Sequence, residues 1–272
     1  MEKATYIHGT DAAEQERLAR LNALTNPPFL RFLQLRETDA VLEVGSGLGL
    51  LAGEVAKQVP HGEVIGLEFS AQQLARASRT TPNLHFVRGD AHALPFADGR
   101  FDLVYCRYVL EHLWSPQRAL EEMRRVLKPG GRALVQENDM RVVIFDPDCP
   151  ATETLIEKMS ALQSQLGGDA RVGKRLFGLF RRAGFDAIEL SFEPEIYPAT
   201  SPHFRLWIEN IIHILQGAAG HLLAKGLATE KEIEAALSEL SGLLERDDAC
   251  ALFHWNRAVG RNRNDENDHD SR

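Results

Sequence analysis

The stretch Val41-Leu42-Glu43-Val44-Gly45-Ser46-Gly47-Leu48-Gly49 restricts the fold more than any other part of the chain. Ala40 to Val44 is a short apolar run of strand length. Leu48, Leu51, Ala52, Val55 and Ala56 then recur at the spacing of one helix face. Between them lie glycines at alternate positions, which let the backbone turn sharply and let a ligand approach without a Cβ in the way. The amides of a helix N-terminus can bind a carboxylate or phosphate. A dinucleotide fingerprint, GxGxxG, would need glycine at position 50, where this chain has leucine. No GKS or GKT follows, so a nucleotide P-loop is excluded. The spacing is GxGxG, with an acid, Glu43, inside the strand.

The same alternation continues. Val64–Leu67 ends at Glu68, Leu84–Val87 ends at Gly89-Asp90, and Phe101–Cys106 and Arg132–Gln136 are further short apolar runs. Helical patterns separate them: one from Ser70, another from Pro116 with Leu120, Met123 and Leu127 inward, stopped by Pro129-Gly130-Gly131. Strands alternating with helices imply right-handed βαβ units and a parallel sheet covered on both faces. The expected fold is α/β, a Rossmann-like, doubly wound, seven-stranded and mostly parallel sheet whose ligands sit at the carboxyl ends of the strands.

Outside this core, Asp11 opens a helix that Asn26-Pro27-Pro28 is expected to break, with a short second helix over Phe29 to Leu35. Helices are expected around Leu155–Leu166 and Val172–Ala183, and a strand from Asp186 to Tyr197. Phe204, Trp207, Ile208, Ile211, Ile212 and Leu215 form an apolar stripe, and Thr229 to Glu232 has capping-box spacing. Ala251 to Val259 reads as the last strand. The organisation expected is a helical cap over 1–37, a core made of 38–200 and 247–260, a helical lid insertion over 201–246, and a disordered tail over 261–272.

Glu68, at the end of the second strand, is placed to accept both hydroxyls of a nucleoside ribose. Asp90, at the end of the third, can accept from the exocyclic amine of adenine. Asp102 begins its strand at the opposite end and reads as structural.

Taken together and in order, Glu43-Val44-Gly45-Ser46-Gly47-Leu48-Gly49, Glu68, Gly89-Asp90-Ala91, Leu94-Pro95-Phe96, Phe101-Asp102-Leu103-Val104, Glu111-His112 and Leu127-Lys128-Pro129-Gly130-Gly131 resemble the class I S-adenosylmethionine-dependent methyltransferases, most closely their small-molecule branch. The resemblance is close over Thr38 to Val135 and extends elsewhere only in layout. It implies S-adenosyl-L-methionine as cofactor. It also implies that Gly45, Ser46, Gly47 and Gly49 pass its methionine part, that Glu68 holds its ribose, that Asp90 and Ala91 hold the adenine, and that Glu43 and Phe69 belong to the cofactor site as well. Arg107 and Tyr108 would line the methionine side. Tyr6-Ile7-His8-Gly9 is similar to an N-terminal segment that folds over the cofactor in some members, or is a frayed terminus.

Methyl transfer is an in-line displacement that positioning alone accelerates strongly. A hydroxyl acceptor benefits from a general base, and His112, just past the fourth strand, is the candidate; a packing role is the competing reading. His203 and His213 are weaker candidates, while Gln136 and Asn138 could bond a substrate or merely satisfy a strand end. No metal site is expected, because the fourth strand runs into Cys106-Arg107-Tyr108 rather than convergent oxygen ligands. The apolar stripe reads as core, pocket wall or homodimer contact, and an apolar lid favours a hydrophobic or aromatic small-molecule acceptor, methylated at O or N. The alternatives are a non-catalytic binding or sensor protein of the same fold, and a protein methyltransferase. A dehydrogenase is disfavoured by the glycine spacing and by the lack of a Tyr-x-x-x-Lys.

A formal net charge of −8 argues against a nucleic-acid partner. No apolar stretch is long enough for a bilayer, and no N-terminal signal pattern is present. Three widely spaced cysteines, with no CxxC, fit a reducing cytoplasm.

Overall fold

In the computed structural model the described residues are 12–263. Five strands run parallel: β1 (Ala40–Val44), β2 (Glu63–Glu68), β3 (Leu84–Arg88), β4 (Phe101–Arg107) and β5 (Leu127–Glu137). They are ordered β3-β2-β1-β4-β5, and the last strand, β8 (Cys250–Arg261), joins β5 antiparallel. The long β7 (Asp186–Pro198) pairs with β8 along its whole length and closes the edge. An eighth strand, β6 (Ile144–Asp146), was not expected. It pairs with Cys250 to Leu252 of β8, while β5 pairs with Asn256 to Arg261 of the same strand. β6 therefore continues the lane of β5, so the sheet is seven lanes wide, with β8 its one antiparallel strand.

Period-two alternation sorts side chains to the two faces. Val41, Leu103, Tyr105 and Leu134 face α1 (Ala12–Leu33) and α2 (Leu50–Gln58), meeting Phe29, Leu33, Leu51 and Val55. Leu42, Val44, Val104, Cys106, Ala133 and Val135 face α4 (Pro116–Val126) and α6 (Leu176–Arg182), meeting Leu120, Met123, Leu176 and Phe180. Both faces are apolar because both are covered, as a parallel sheet requires. α3 (Ala71–Leu74), capped by Ser70 as its sequence suggests, is a single turn.

A third core stands beyond the carboxyl ends of the parallel strands. There α5 (Pro150–Gln165), α7 (Phe204–Ala224) and α8 (Glu230–Leu243) pack on the first residues of β8. The expected capping box forms: Thr229 accepts from the Glu232 N–H, and Glu232 accepts from the Thr229 N–H at 2.9 Å. The stripe from Phe204 to Leu215 is mostly buried in this core.

The expected break at Pro27-Pro28 does not occur; α1 runs through both prolines. Prolines remove helix N–H donors, but tertiary bonds hold both sides of the step on one axis. Arg107 donates to Asn22 (2.7 Å) and Asn26 (2.8 Å), and Phe29 and Leu33 are fully buried just beyond. β5 begins earlier than Arg132, at Leu127, and α2 begins after Leu48. Arg261 belongs to β8, and the Asn262 N–H donates to the Gly131 carbonyl; residues 264–272 lie outside the described chain.

Candidate cofactor and acceptor site

The glycine turn is built by its backbone. Gly45, Gly47 and Gly49 have φ of +77°, +55° and +76°, in the left-handed region that side chains disfavour. A Cβ on Gly45 would stand 2.5 Å from Val109 Cγ2, and one on Gly49 would stand 2.2 Å from the Phe86 ring. The Gly45 and Ser46 N–H groups both donate to the Leu67 carbonyl, at 2.8 and 3.0 Å, which locks the turn onto β2. Gly49 precedes α2 without any side-chain cap, and the Ala52 N–H of the first turn is directed at the Glu43 carboxyl instead.

Glu68 completes the turn. Its Oε2 accepts from the Gly47 N–H (2.9 Å) and its Oε1 from the Ser70 N–H (2.7 Å). Each carboxylate oxygen has a second lone pair, so the group can still accept two ribose hydroxyls. Phe69, the next residue, is half exposed.

Glu43 is buried on the α1 face of the sheet, opposite Tyr105. Burial pushes its pKa up to about 8, with the Arg107 charge and the Tyr105 hydroxyl pulling the other way. Its Oε2 has no hydrogen-bond partner, nor has the buried Ser46 hydroxyl. Arg107 itself lies 5.2 Å over the rings of both Phe29 and Tyr108.

Tyr108 follows β4 with φ of +60°, a conformation uncommon for an aromatic residue. Its hydroxyl accepts from Gln136 at 2.8 Å, and Gln136 accepts from Arg257 at 2.6 Å. Both ends of Gln136 are therefore satisfied within the protein.

Asp90 sits past β3 with its side chain about half exposed (49%). It accepts from the His92 backbone N–H at 2.9 Å and meets the His92 imidazole at 2.7 Å. Partial burial opposes ionisation, but these two His92 contacts hold the carboxyl below its ordinary value. Ala91 beside it is buried, and the His92 ring stacks on Trp114 at 4.4 Å.

The structure thus brings Glu43, the three glycines, Ser46, Glu68, Phe69, Asp90, Ala91, Arg107 and Tyr108 to the carboxyl ends of adjacent strands. Tyr6 lies outside the described residues. His112 occupies a 3₁₀ turn after β4, 3.7 Å from Glu111. Glu111 is buried and accepts from Asn138 (3.0 Å) and Gln163 (3.2 Å). His203 and His213 are exposed, and His213 meets the Glu209 carbonyl of its own helix. Asp102 accepts from the Ala40 N–H and from Lys128 at the far end of the sheet, a structural role.

Sequence did not single out the buried acids Glu137 and Glu195. Glu137, fully buried at the end of β5, accepts from the Val109 and Leu110 N–H groups at 2.9 and 2.7 Å and so fixes the turn after β4. Burial, then the nearby Glu111 charge, raise its pKa well above the usual value. Glu195 lies on β7.

Glu43 Oε2 and the Ser46 hydroxyl are thus buried without a partner beside the glycine cradle of an α/β domain. Those groups fit S-adenosylmethionine: Glu43 and Ser46 toward its amino-acid part, Glu68 toward the ribose, Asp90 toward the adenine amine. Residues 42–135 match the methyltransferase domain family. Over those residues the chain carries a methyltransferase domain of the class I kind, whose cofactor is S-adenosylmethionine.

Among curated relatives, an uncharacterised 37.1 kDa transposon protein of Streptomyces fradiae is 34% identical over 197 residues, covering 71% of this chain and 52% of its own. The chain therefore spans about half the length of that relative. An uncharacterised methyltransferase of Schizosaccharomyces pombe is 29% identical over 217 residues, covering 76% of this chain and 77% of its own. Among solved structures, a Haemonchus contortus phosphoethanolamine N-methyltransferase with bound S-adenosylmethionine has a TM-score of 0.56 at 20% identity, covering 88% of this chain and 52% of its own.

Proposed function

We propose that the protein transfers the methyl group of S-adenosylmethionine to the oxygen or nitrogen of a small hydrophobic or aromatic molecule. The observation that carries this reading is the third core, in which α5, α7 and α8 stand over the carboxyl ends of the strands and pack on the start of β8, whose Trp255 lies against Tyr108. An apolar, aromatic wall of that kind suits a small acceptor better than a protein surface.

The bound cofactor would supply an electrophilic methyl group on a sulfonium, which leaves as a neutral thioether. The residues of this chain have to bind, orient and exclude water. Glu68 would hold the ribose and the Gly45–Gly49 turn the methionine part, in a register that the Glu68–Gly47 bond fixes. Arg107, tied to α1 through Asn22, Thr25 and Asn26, closes the site from the α1 side. Holding reactants at about 3–3.5 Å in line can lower the barrier by roughly 7–11 kcal/mol without further chemistry. His112 is our candidate base for a hydroxyl acceptor. A small soluble acceptor, a place in the cytoplasm and no nucleic-acid or membrane partner complete the proposal; no helix among the described residues is long and apolar enough to cross a membrane.

The test is transfer of labelled methyl from S-adenosylmethionine into a small-molecule extract and, separately, into whole protein. Label in small organic-extractable products is expected. Label confined to protein would favour the protein-methyltransferase alternative, and tight cofactor binding with no transfer to either would favour the sensor alternative.

A further inference from the structure

Past the end of β5, β7 and β8 continue as a two-stranded ribbon. Asn256 of β8 lies opposite Glu137, the last residue of β5, so Trp255 and Phe253 stand beyond the parallel strands. Along β7, Glu193 is opposite Trp255, Glu195 opposite Phe253, and Tyr197 opposite Ala251. These side chains share the inner face of the ribbon. Trp255 packs against Tyr108 with the rings tilted by 39° and their centroids 4.3 Å apart, and it meets Phe253 edge-on at 4.6 Å. From α7, Trp207 lies 5.8 Å from the Tyr197 ring and 6.4 Å from that of Phe253.

Glu195 sits among these rings, 8% exposed. Its Oε1 accepts from the Trp255 indole N–H at 2.6 Å. Its Oε2 is buried and has no hydrogen-bond partner. Among the described residues no lysine, arginine or histidine forms an ion pair with it; Arg257, on the same face of the ribbon, is paired with Glu193. Burial raises the pKa of Glu195, against the indole and phenol groups of Trp255, Tyr197 and Trp207, and its charge is felt by Tyr108.

We propose that Glu195, with the rings of Tyr108, Tyr197, Trp207 and Trp255, is the acceptor-side anchor and that it binds a protonated amine of the methyl acceptor. The inference rests on the methyl-transfer reading above and narrows its substrate class. An ionised carboxylate only accepts hydrogen bonds, so the unpartnered Oε2 calls for a donor. Aromatic faces attract organic cations, most strongly where water is excluded. A buried carboxylate left without an opposite charge is costly, and among the described residues none forms an ion pair with Glu195. An ammonium group satisfies all three conditions, whereas a hydroxyl satisfies only the first. Tyr108 joins this anchor to the cofactor side, because it follows the β4 strand end beside the glycine turn.

The protein saturated with S-adenosylhomocysteine is titrated calorimetrically with phenethylamine and with its neutral counterpart phenethyl alcohol. The amine is expected to bind at least about tenfold more tightly than the alcohol. Glu195→Gln, which keeps shape and removes charge, is expected to weaken the amine on the order of 30-fold while leaving the alcohol within about threefold. Trp255→Leu is expected to weaken the amine about tenfold by removing a ring face. Unchanged S-adenosylhomocysteine affinity in both variants shows that the domain remains folded. Amine binding that ignores Glu195→Gln, an alcohol bound as tightly as the amine, or neither ligand bound while S-adenosylhomocysteine binds would each overturn the anchor and leave the methyltransferase reading standing. Wild-type protein that fails to bind S-adenosylhomocysteine would overturn the reading beneath it.

Discussion

The Glu68 carboxylate accepts the Gly47 N–H at 2.9 Å, across the gap between β2 and the glycine turn. The acid that sequence assigns to a ribose is thus also a brace for the loop that would carry the methionine part. Glu68→Ala removes both roles, since the Ser70 N–H loses its partner as well. Bonds of this kind to a charged group are worth roughly 1.5–3 kcal/mol each, net of exchange with water. Calorimetry is expected to show S-adenosylhomocysteine affinity falling by on the order of 30-fold or more, with a lower melting temperature. Glu68→Gln retains a carbonyl acceptor and is expected to fall between. Wild-type affinity in Glu68→Ala would remove Glu68 from the site.

Gly49 is held by two independent constraints. Its φ of +76° costs a residue with a Cβ about 1–2 kcal/mol. An added Cβ would also stand 2.2 Å from Phe86 Cζ, an overlap of the kind that costs about 1–3 kcal/mol in a packed core. Urea denaturation of Gly49→Ala is expected to show a loss of roughly 2–5 kcal/mol. Adding Phe86→Leu is expected to recover the packing part but not the backbone part. Full recovery would mean the left-handed conformation carries no strain.

Glu43 makes stability depend on pH in a defined direction. Its folded pKa of about 8 lies above the ordinary carboxyl value of 4.5. Between those values the folded chain keeps a proton that the unfolded chain has released. The stability it contributes is therefore complete below pH 4.5 and declines as pH rises to 8, by on the order of a few kcal/mol. Above pH 8 both states are ionised and the slope ends. Subtracting the stability curve of Glu43→Gln isolates this slope from those of Glu137 and Glu195. Parallel wild-type and variant curves between pH 5 and 8 would show that Glu43 is ionised in the fold.

The parts of this site that were legible in the sequence are those encoded locally. Gly45, Gly47 and Gly49 announce positive φ by residue type, and Glu68 and Asp90 lie at strand ends that the apolar runs delimit. What was not legible depends on partners far along the chain. On β7, Glu189, Glu193 and Glu195 alternate like any half-exposed strand, and nothing near them says that Glu195 is the buried one. That is decided by Trp255, sixty residues on. The Pro27-Pro28 step was misread for the same reason, because Arg107 and the buried Phe29 override the local breaker. Likewise α5 was legible as a helix, but its place with α7 and α8 was not.

That place is secured by an unusual cap. α5 begins at Pro150 after Cys149, which provides no side-chain cap. Its first free amides, Ala151 and Thr152, donate instead to the Glu239 carboxylate on α8, at 3.1 and 2.8 Å, and the Thr152 hydroxyl donates to the same group at 3.1 Å. A carboxylate at a helix N-terminus also complements the helix dipole. Glu239 thus caps one helix from the side of another and joins two elements that stand over the strand ends. Glu239→Ala is expected to cost about 1–2 kcal/mol, the usual worth of an N-cap. Because Glu239 lies far from Glu43, Glu68 and Asp90 in the fold, S-adenosylhomocysteine affinity should stay within about twofold of wild type, well under the tenfold that 1.4 kcal/mol represents. Hydrogen exchange should accelerate in α5 and α8 while β1 and β2 remain protected, as expected of a separable unit. Uniform acceleration across the sheet would show instead that the three helices and the sheet unfold together, and that the helices are no lid.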